Sequence, residues 1–465
     1  MREELRRDID KFVEENYDNI FRDIGRLVAI NSVQTEAKEN MPFGEGPAAA
    51  LELGLEISRE LGLETKNCEN MLGYACVGGH GDKYLATITH LDIVPEGEGW
   101  SASPFVMRER EGYVIGRGVL DDKGPSVLCL YALKYLKDRN VELKYPVRAL
   151  LGLAEETGME DVEYYLENYP APLFCFSPDA NFPLCNGEKG IYHGRMIASE
   201  KKGDTILDIR GGIASNVIPG KAEAWVKTEK LVSSDKVDAE LIDGVWHLTA
   251  HGIGGHASQP EGTENAIGVL AQYLVDNVEL EEADKKFMNN VIRLNSCWRG
   301  KGIGVDKAMD GESDGRFDGL TIVGGVIGVE DGYYVQSLDS RYPTNTSGER
   351  IAKSIEDFCG GDVRVTIDHD AVPFYMELDN PAVQVCINAY NEITGENAEP
   401  YTIGGGTYAR HFPNAVSFGP EHEDREQPAF AGPIHGADEA ANKEWFIEAL
   451  KVYILALIEL EKIDF

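Results

Sequence analysis

Residues 84–92 read Tyr-Leu-Ala-Thr-Ile-Thr-His-Leu-Asp, a short apolar run that closes on a histidine and an aspartate. Three similar runs share the first part of the chain: Gly73–Val77, Val147–Ala154 and Leu173–Ser177. Apolar runs this short, without polar alternation, are the pattern of strands covered on both faces. Helical spacing fills Pro125 to about Asp138, between the second and third runs in chain order, and Ala48–Leu61 ahead of the first. Residues 5–30 add an amphipathic helix with Ile9, Phe12, Val13, Ile20, Phe21, Ile24 and Leu27 on one stripe. Continuous strands alternating with helices predict an α/β fold, with helices on both faces of a mainly parallel sheet.

The texture changes after Gly187-Glu188-Lys189-Gly190. Alternating strand patterns follow at Thr205–Arg210, Lys221–Val226 and Val245–Ala250, then a helix at Asn265–Asn277. Strands at Leu320–Val326 and Tyr333–Ser337, a helix at Ser347–Phe358 and a strand at Val363–Ile367 complete the stretch. This reads as two α+β units in tandem. The first style resumes near Asn380-Pro381, with helices at Ala382–Ile393 and Lys443–Leu460. The expected organisation is one discontinuous domain at 1–187 and 381–465, interrupted by an inserted domain at 188–380. A chain of 465 residues is long enough for two cores.

A net charge of −36 repels phosphate backbones and argues against nucleic-acid binding. The opening Met-Arg-Glu-Glu-Leu-Arg-Arg-Asp lacks the apolar stretch of a signal peptide, and no run approaches a membrane span. Eight scattered cysteines without a Cys-x-x-Cys pair suit a reducing compartment, so the expectation is a cytoplasmic protein with no membrane partner.

Chemistry enters at the ends of the apolar runs. In extended chain His90 and Asp92 point the same way, which suits an imidazole ligand oriented by a carboxylate. Gly116-Arg-Gly-Val-Leu-Asp-Asp-Lys-Gly-Pro125 sets Asp121 and Asp122 just ahead of a helix. Glu155 and Glu156 follow the third run, Asp179 the fourth, and His435 stands in Gly-Pro-Ile-His-Gly near the last helix. Singly, each has a plainer reading: acids favouring a helix N-terminus, a solvated loop, a turn aspartate, a loop histidine. Jointly, His90, Glu155, Glu156 and Asp179 fall at the carboxyl edge of one parallel sheet, where such folds bind ligands. Histidines with carboxylates and no thiolates suit zinc, manganese or cobalt, and this many donors suits a two-metal hydrolase.

The order His90-x-Asp92, Asp121-Asp-Lys-Gly124, Glu155-Glu156, Asp179 and His435 resembles the dinuclear metallopeptidases that include aminoacylases, glutamate carboxypeptidases and succinyl-diaminopimelate desuccinylase. Within them the chain is similar over its whole length to the dipeptidase V, carnosinase-like branch. The resemblance implies a zinc-exopeptidase-like catalytic domain and an inserted lid of two ferredoxin-like units. It implies that Asp121 bridges two divalent ions, with His90 and Asp179 on one and Glu156 and His435 on the other. It makes Asp92 the residue that orients His90, Glu155 the general base acting on a metal-bridging water, and His256, in Gly-Gly-His-Ala-Ser-Gln-Pro, the stabiliser of the oxyanion. Asn216 in Ala-Ser-Asn-Val-Ile-Pro-Gly and Arg341 in Leu-Asp-Ser-Arg-Tyr-Pro match substrate-holding positions. The loop Gly404-Gly-Gly-Thr-Tyr-Ala-Arg410 resembles the same branch, and Gly405 and Thr407 are its expected substrate contacts. It also implies a cis peptide at Asp121–Asp122.

Arg341 has an internal alternative, a salt bridge with one of the many acids. The function expected is a monomeric, metal-dependent dipeptidase acting on short unblocked peptides, with Zn2+ as the first metal and Mn2+ or Co2+ next. The alternatives are an N-acyl amino acid deacylase with the same metals, and a catalytically inactive binding homologue.

Overall fold

The computed structural model describes residues 2–311 and 313–465 and divides into two compact units. The first comprises 2–186, 376–401 and 407–465; the second comprises the described residues of 187–375, and 402–406.

In the first unit, helices α1 (Arg2–Val28) and α2 (Glu45–Glu60) precede strands β1 (Glu64–Cys68), β2 (Leu72–Val77) and β3 (Leu85–His90). Helix α3 (Lys123–Asp138), β4 (Val147–Gly152), α4 (Glu160–Asn168) and β5 (Phe174–Ser177) follow. The sheet order is β1-β2-β4-β3-β5, continuing into the strand Ala415–Ser417. Strand β3 runs parallel to both β4 and β5, and Ala415–Ser417 runs parallel to β5. The β1–β2 and β2–β4 pairings are antiparallel, and Ala415–Ser417 pairs antiparallel with Cys185–Glu188, so the parallel character is confined to the centre of the sheet. Every residue of β3, β4 and β5 is buried, as strands covered on both faces must be.

The seven apolar residues of the α1 stripe are all buried, each contributing about 1.5–3 kcal/mol relative to exposure. Helices α1, α3 and the C-terminal helix Lys443–Leu460 pack on one another. The helix ends are set by local chemistry. Asn442 caps the last helix by accepting from Glu444 N–H, and Asn380 caps Pro381–Thr394 through Ala382 N–H with proline in the first turn.

The second unit is built on a large antiparallel sheet. Its order is Val237–Ile242, Val245–His251, Lys221–Val226, Ile206–Gly211, Ile327–Glu330, Tyr333–Tyr342, Gly190–Ala198 and Val363–Ala371, with Thr321–Val323 also on Tyr333–Tyr342. The two α+β runs expected in the insert share this sheet. Helices Ala266–Asn277, Glu282–Asn295 and Gly348–Cys359 bury their apolar faces with it in a single core. No helix among the described residues is long and apolar enough to cross a membrane.

Candidate metal centre

The centre is built at the carboxyl edge of the first unit's parallel strands. Strand β3 ends on His90, whose register partner is Gly152, the last residue of β4. The chain then leaves β4 through Leu153 and Ala154 into a single 3-10 turn, Glu155–Thr157. Asp179 lies just beyond β5, and Asp121 just ahead of α3. The Asp121–Asp122 peptide is cis, as the resemblance implies.

Asp121 stands between the two histidines. Its Oδ1 is 2.8 Å from His90 Nε2 and its Oδ2 is 2.9 Å from His435 Nε2. Glu156 Oε1 is 2.9 Å from the same His435 nitrogen, and Asp179 Oδ2 is 3.9 Å from His90 Nε2. Donor atoms of His90, Asp121 and Glu156 lie within 4.8 Å of one another, as do those of His90, Glu155 and Asp179. The structure thus brings together His90, Asp121, Glu155, Glu156, Asp179 and His435.

Asp92 serves more than one neighbour. His90 Nδ1 donates to the Asp92 backbone carbonyl at 3.1 Å with Oδ1 alongside at 3.3 Å, while the Asp92 carboxylate accepts from Glu155 N–H at 3.3 Å and Glu156 N–H at 3.1 Å. Asp92 therefore holds the His90 ring through its carbonyl and carboxylate together, and its carboxylate also fixes the turn that carries both glutamates. Asp122 accepts from His90 N–H at 3.1 Å, and its carbonyl accepts from Ser126 N–H in the first turn of α3.

The electrostatics of this group call for added positive charge. Burial, then the neighbouring Asp179 and Glu156 carboxylates, push Glu155 well above the usual carboxylate range. Burial, then Asp121 and Glu156, do the same to Asp179. Burial would raise Asp121 too, but the His435 and His90 imidazoles hold it low. Burial would lower His435, yet Asp121 and Glu156 lift it to about 10. His90 Nε2 and Asp121 Oδ1, both buried, have no aligned hydrogen-bond partner. Crowded carboxylates and imidazoles with donor atoms turned toward one another are a fit for divalent cations, which neutralise such a cluster directly.

Several residues that position the centre carry no sequence signal. Glu439 Oε1 accepts from the N–H groups of Gly118 (3.0 Å), Leu120 (3.0 Å) and Asp121 (3.3 Å). Its Oε2 meets Arg117 Nη1 at 2.6 Å, with both side chains fully buried. Arg117 Nη2 donates to the carbonyls of Glu96 and His435. This pair locks the Asp121 loop to the His435 loop, where His435 itself sits at φ +61°. Asp161 accepts from Leu153 and Ala154 N–H and from the Tyr408 hydroxyl, fixing the exit from β4 toward Glu155.

The expected substrate residues lie elsewhere. In the second unit, Val217 pairs with His256 and Ile218 with Gly255, and Ala257 N–H donates to the Asn216 carbonyl, so Asn216 and His256 share a two-stranded ribbon. His256 Nδ1 is 2.7 Å from Ser258 Oγ. Partial burial, then the positive Arg341, hold its imidazole below the ordinary value. Arg341 is gripped by Asp339 through Nε (2.9 Å) and Nη2 (3.1 Å), and Nη1 donates to the Gly404 carbonyl. The internal alternative for Arg341 is therefore realised, and its burial does not of itself require a ligand carboxylate. Gly405 is open, with only Ile403 Cδ1 within ordinary contact of an added Cβ. Thr407, in the first unit, caps the turn Tyr408–His411 and shares its hydroxyl with Ser417.

The model of peptidase family M20/M25/M40 matches residues 86–459 of the chain. The Beta-Ala-Xaa dipeptidase of Lactobacillus delbrueckii subsp. lactis is 32% identical over 474 residues, covering 97% of this chain and 98% of that one. Human carnosine dipeptidase 1 has a similar fold, with a TM-score of 0.59 at 15% identity and 99% of each chain covered. The di-peptidase Dug1p of Saccharomyces cerevisiae aligns with a TM-score of 0.59 at 14% identity, over 98% of each chain.

Proposed function

The chain belongs to peptidase family M20/M25/M40, a hydrolase of peptide bonds, and from that premise we propose that it is a metal-dependent dipeptidase acting on short unblocked peptides. The observation that carries this reading is the Asp121 carboxylate, one oxygen toward each of two imidazoles. In the proposed assignment His90, Asp121 and Asp179 would hold one divalent ion, and Asp121, Glu156 and His435 the other. Zinc is the first choice for such a donor set, with manganese and cobalt also suited. When bound, two such ions polarise a scissile carbonyl and lower the pKa of water toward neutrality.

The chain's own residues supply the rest. Glu155, whose carboxyl shares the space of His90 and Asp179, takes the proton of the attacking water and returns it to the leaving amine. Asp92 keeps the His90 ring in register and, through two backbone hydrogen bonds, keeps Glu155 beside it. His256 and Asn216 take the oxyanion and substrate-holding roles that the sequence resemblance implies. Arg341, aligned by Asp339 and by the Gly404 carbonyl, offers a peptide carboxylate the N–H groups of Nη1 and Nη2 that these two do not use, and Gly405 gives backbone access. Eight cysteines, most of them buried and none in a disulfide bond among the described residues, support a cytoplasmic setting.

A substrate panel tests the proposal. After chelation and reloading with zinc, manganese or cobalt, β-alanyl-histidine and ordinary dipeptides are assayed beside N-acetyl amino acids. Dipeptide turnover is expected. Turnover of the N-acetyl compounds alone would transfer the chain to the deacylases, and no turnover with any metal would end the enzyme reading.

A further inference from the structure

A second group of metal-type donors lies on the antiparallel edge of the first unit's sheet. Glu64 of β1 and Cys76 of β2 are direct register partners, so their side chains stand side by side on one face. Tyr74, two residues before Cys76, shares that face. His80 reaches it from the loop after β2. Its Nε2 is 3.0 Å from Glu64 Oε2 and 3.9 Å from Cys76 Sγ, and all three donors lie within 4.8 Å of one another.

We infer that Glu64, Cys76 and His80 form a third cation site, separate from the hydrolytic pair and suited to one zinc-class ion. With Zn–S and Zn–N or Zn–O bonds of about 2.0–2.3 Å, ligand atoms in a tetrahedral site sit roughly 3.3–3.7 Å apart. The observed separations of 3.0 and 3.9 Å bracket that range, so small side-chain motions complete the geometry. The ring is already oriented. The Tyr74 hydroxyl lies 3.1 Å and Cys76 Sγ 3.6 Å from His80 Nδ1, so with Tyr74 holding Nδ1 a small turn of the thiol toward Glu64 brings Nε2, Sγ and the carboxylate to one ion.

The loop that delivers His80 is anchored from below. Arg148, the register partner of Cys76 on β4, is buried and donates to the carbonyls of His80 (3.2 Å) and Gly81 (3.0 Å). Its guanidinium also favours a thiolate at Cys76. Burial pushes the Cys76 thiol up to about 11, so ion binding there displaces a proton. Glu64 and His80 are exposed, which leaves a fourth position to water. The site also lies at the other end of the strands from the hydrolytic centre. Cys76 aligns with the beginning of β4, whereas Glu155 and Glu156 follow its end. An ion held here ties β1, β2 and the following loop together.

Cobalt titration of the full chain distinguishes the two kinds of site, because the hydrolytic centre offers no thiolate. Wild-type protein is expected to take up a third equivalent of Co2+, with a thiolate-to-cobalt charge-transfer band and a rise in Tm. Cys76→Ser should remove the band and that equivalent while retaining two ions and dipeptide turnover. His80→Ala, at an exposed position where folding is not in question, should weaken the third equivalent tenfold or more. Uptake that stops at two equivalents without a thiolate band, or a band that survives Cys76→Ser, would overturn the assignment.

Discussion

Glu155 is the residue whose removal separates binding from chemistry. Asp121, Glu156 and Asp179 supply the carboxylates that the proposed ligand sets require, so Glu155→Ala should keep its full metal content. Loss of a general base costs on the order of 10²–10⁴-fold in turnover. Metal analysis beside kcat checks this, and near-normal turnover would remove Glu155 from the mechanism. Asp92 gives the complementary case, because it contacts His90 and the Glu155–Glu156 backbone at once. Asp92→Ala should lower metal affinity or activity by about 10–100-fold, the range for residues that orient ligands.

The sequence announced the donors themselves, because each ends an apolar run or sits in a glycine-rich turn. It did not announce Glu439 or Asp161. Their work is to accept backbone N–H groups, and nothing local marks that. Glu439 meets residues 117–121 only once the fold brings the two stretches together. Arg341 was legible as a buried arginine but not as the partner of Asp339, two residues away on the same strand.

Among the elements, the hydrophobic ones were read nearly to the residue. The last helix begins and ends at Lys443 and Leu460, and Lys221–Val226 is a strand over its full expected span. Strand β1, Glu-Thr-Lys-Asn-Cys, buries only its last residue and owes its order to β2, so no apolar pattern exists to find. Val237–Ile242 is another exposed edge, and Glu282–Asn295 is a helix whose acidic first turn reads as loop. The start of α3 offers an element-level test. An added Cβ at Gly124 would meet the Val119 carbonyl and the Phe446 ring at 2.0 and 2.6 Å. Gly124→Ala must therefore displace the turn that carries Asp121. A loss of about 1–3 kcal/mol, typical of overpacking, is expected in denaturant unfolding, together with weaker metal binding. An unchanged midpoint would show that the turn yields freely.

For the whole molecule the question is association. Both edges of the second unit's sheet carry charge, with Asp238 and Glu240 on one and Arg364, Asp368 and Asp370 on the other. Charged edge strands resist pairing with a second chain, and a net charge of −36 adds general repulsion. Light scattering after size exclusion should give a mass near 51.2 kDa, and twice that value would mean that another surface joins two copies. The same charge bears on substrates. Acidic dipeptides should be poor at low ionic strength and gain on neutral ones as salt screens the field, which kcat/KM at two salt concentrations would reveal.

The two histidines of the centre differ sharply in exposure: the His90 side chain is 1% accessible and that of His435 is 50%. The difference separates two time scales of ion exchange. An ion held by Glu156 and His435 would lie beside a solvent-exposed loop histidine and could pass to a chelator without opening the sheet. An ion held by His90 and Asp179 would have to wait for motion of the strand ends. Stopped-flow chelation should thus be biphasic, a fast departure followed by a slow one. A single phase would mean that the shared Asp121 carboxylate makes the two ions leave together.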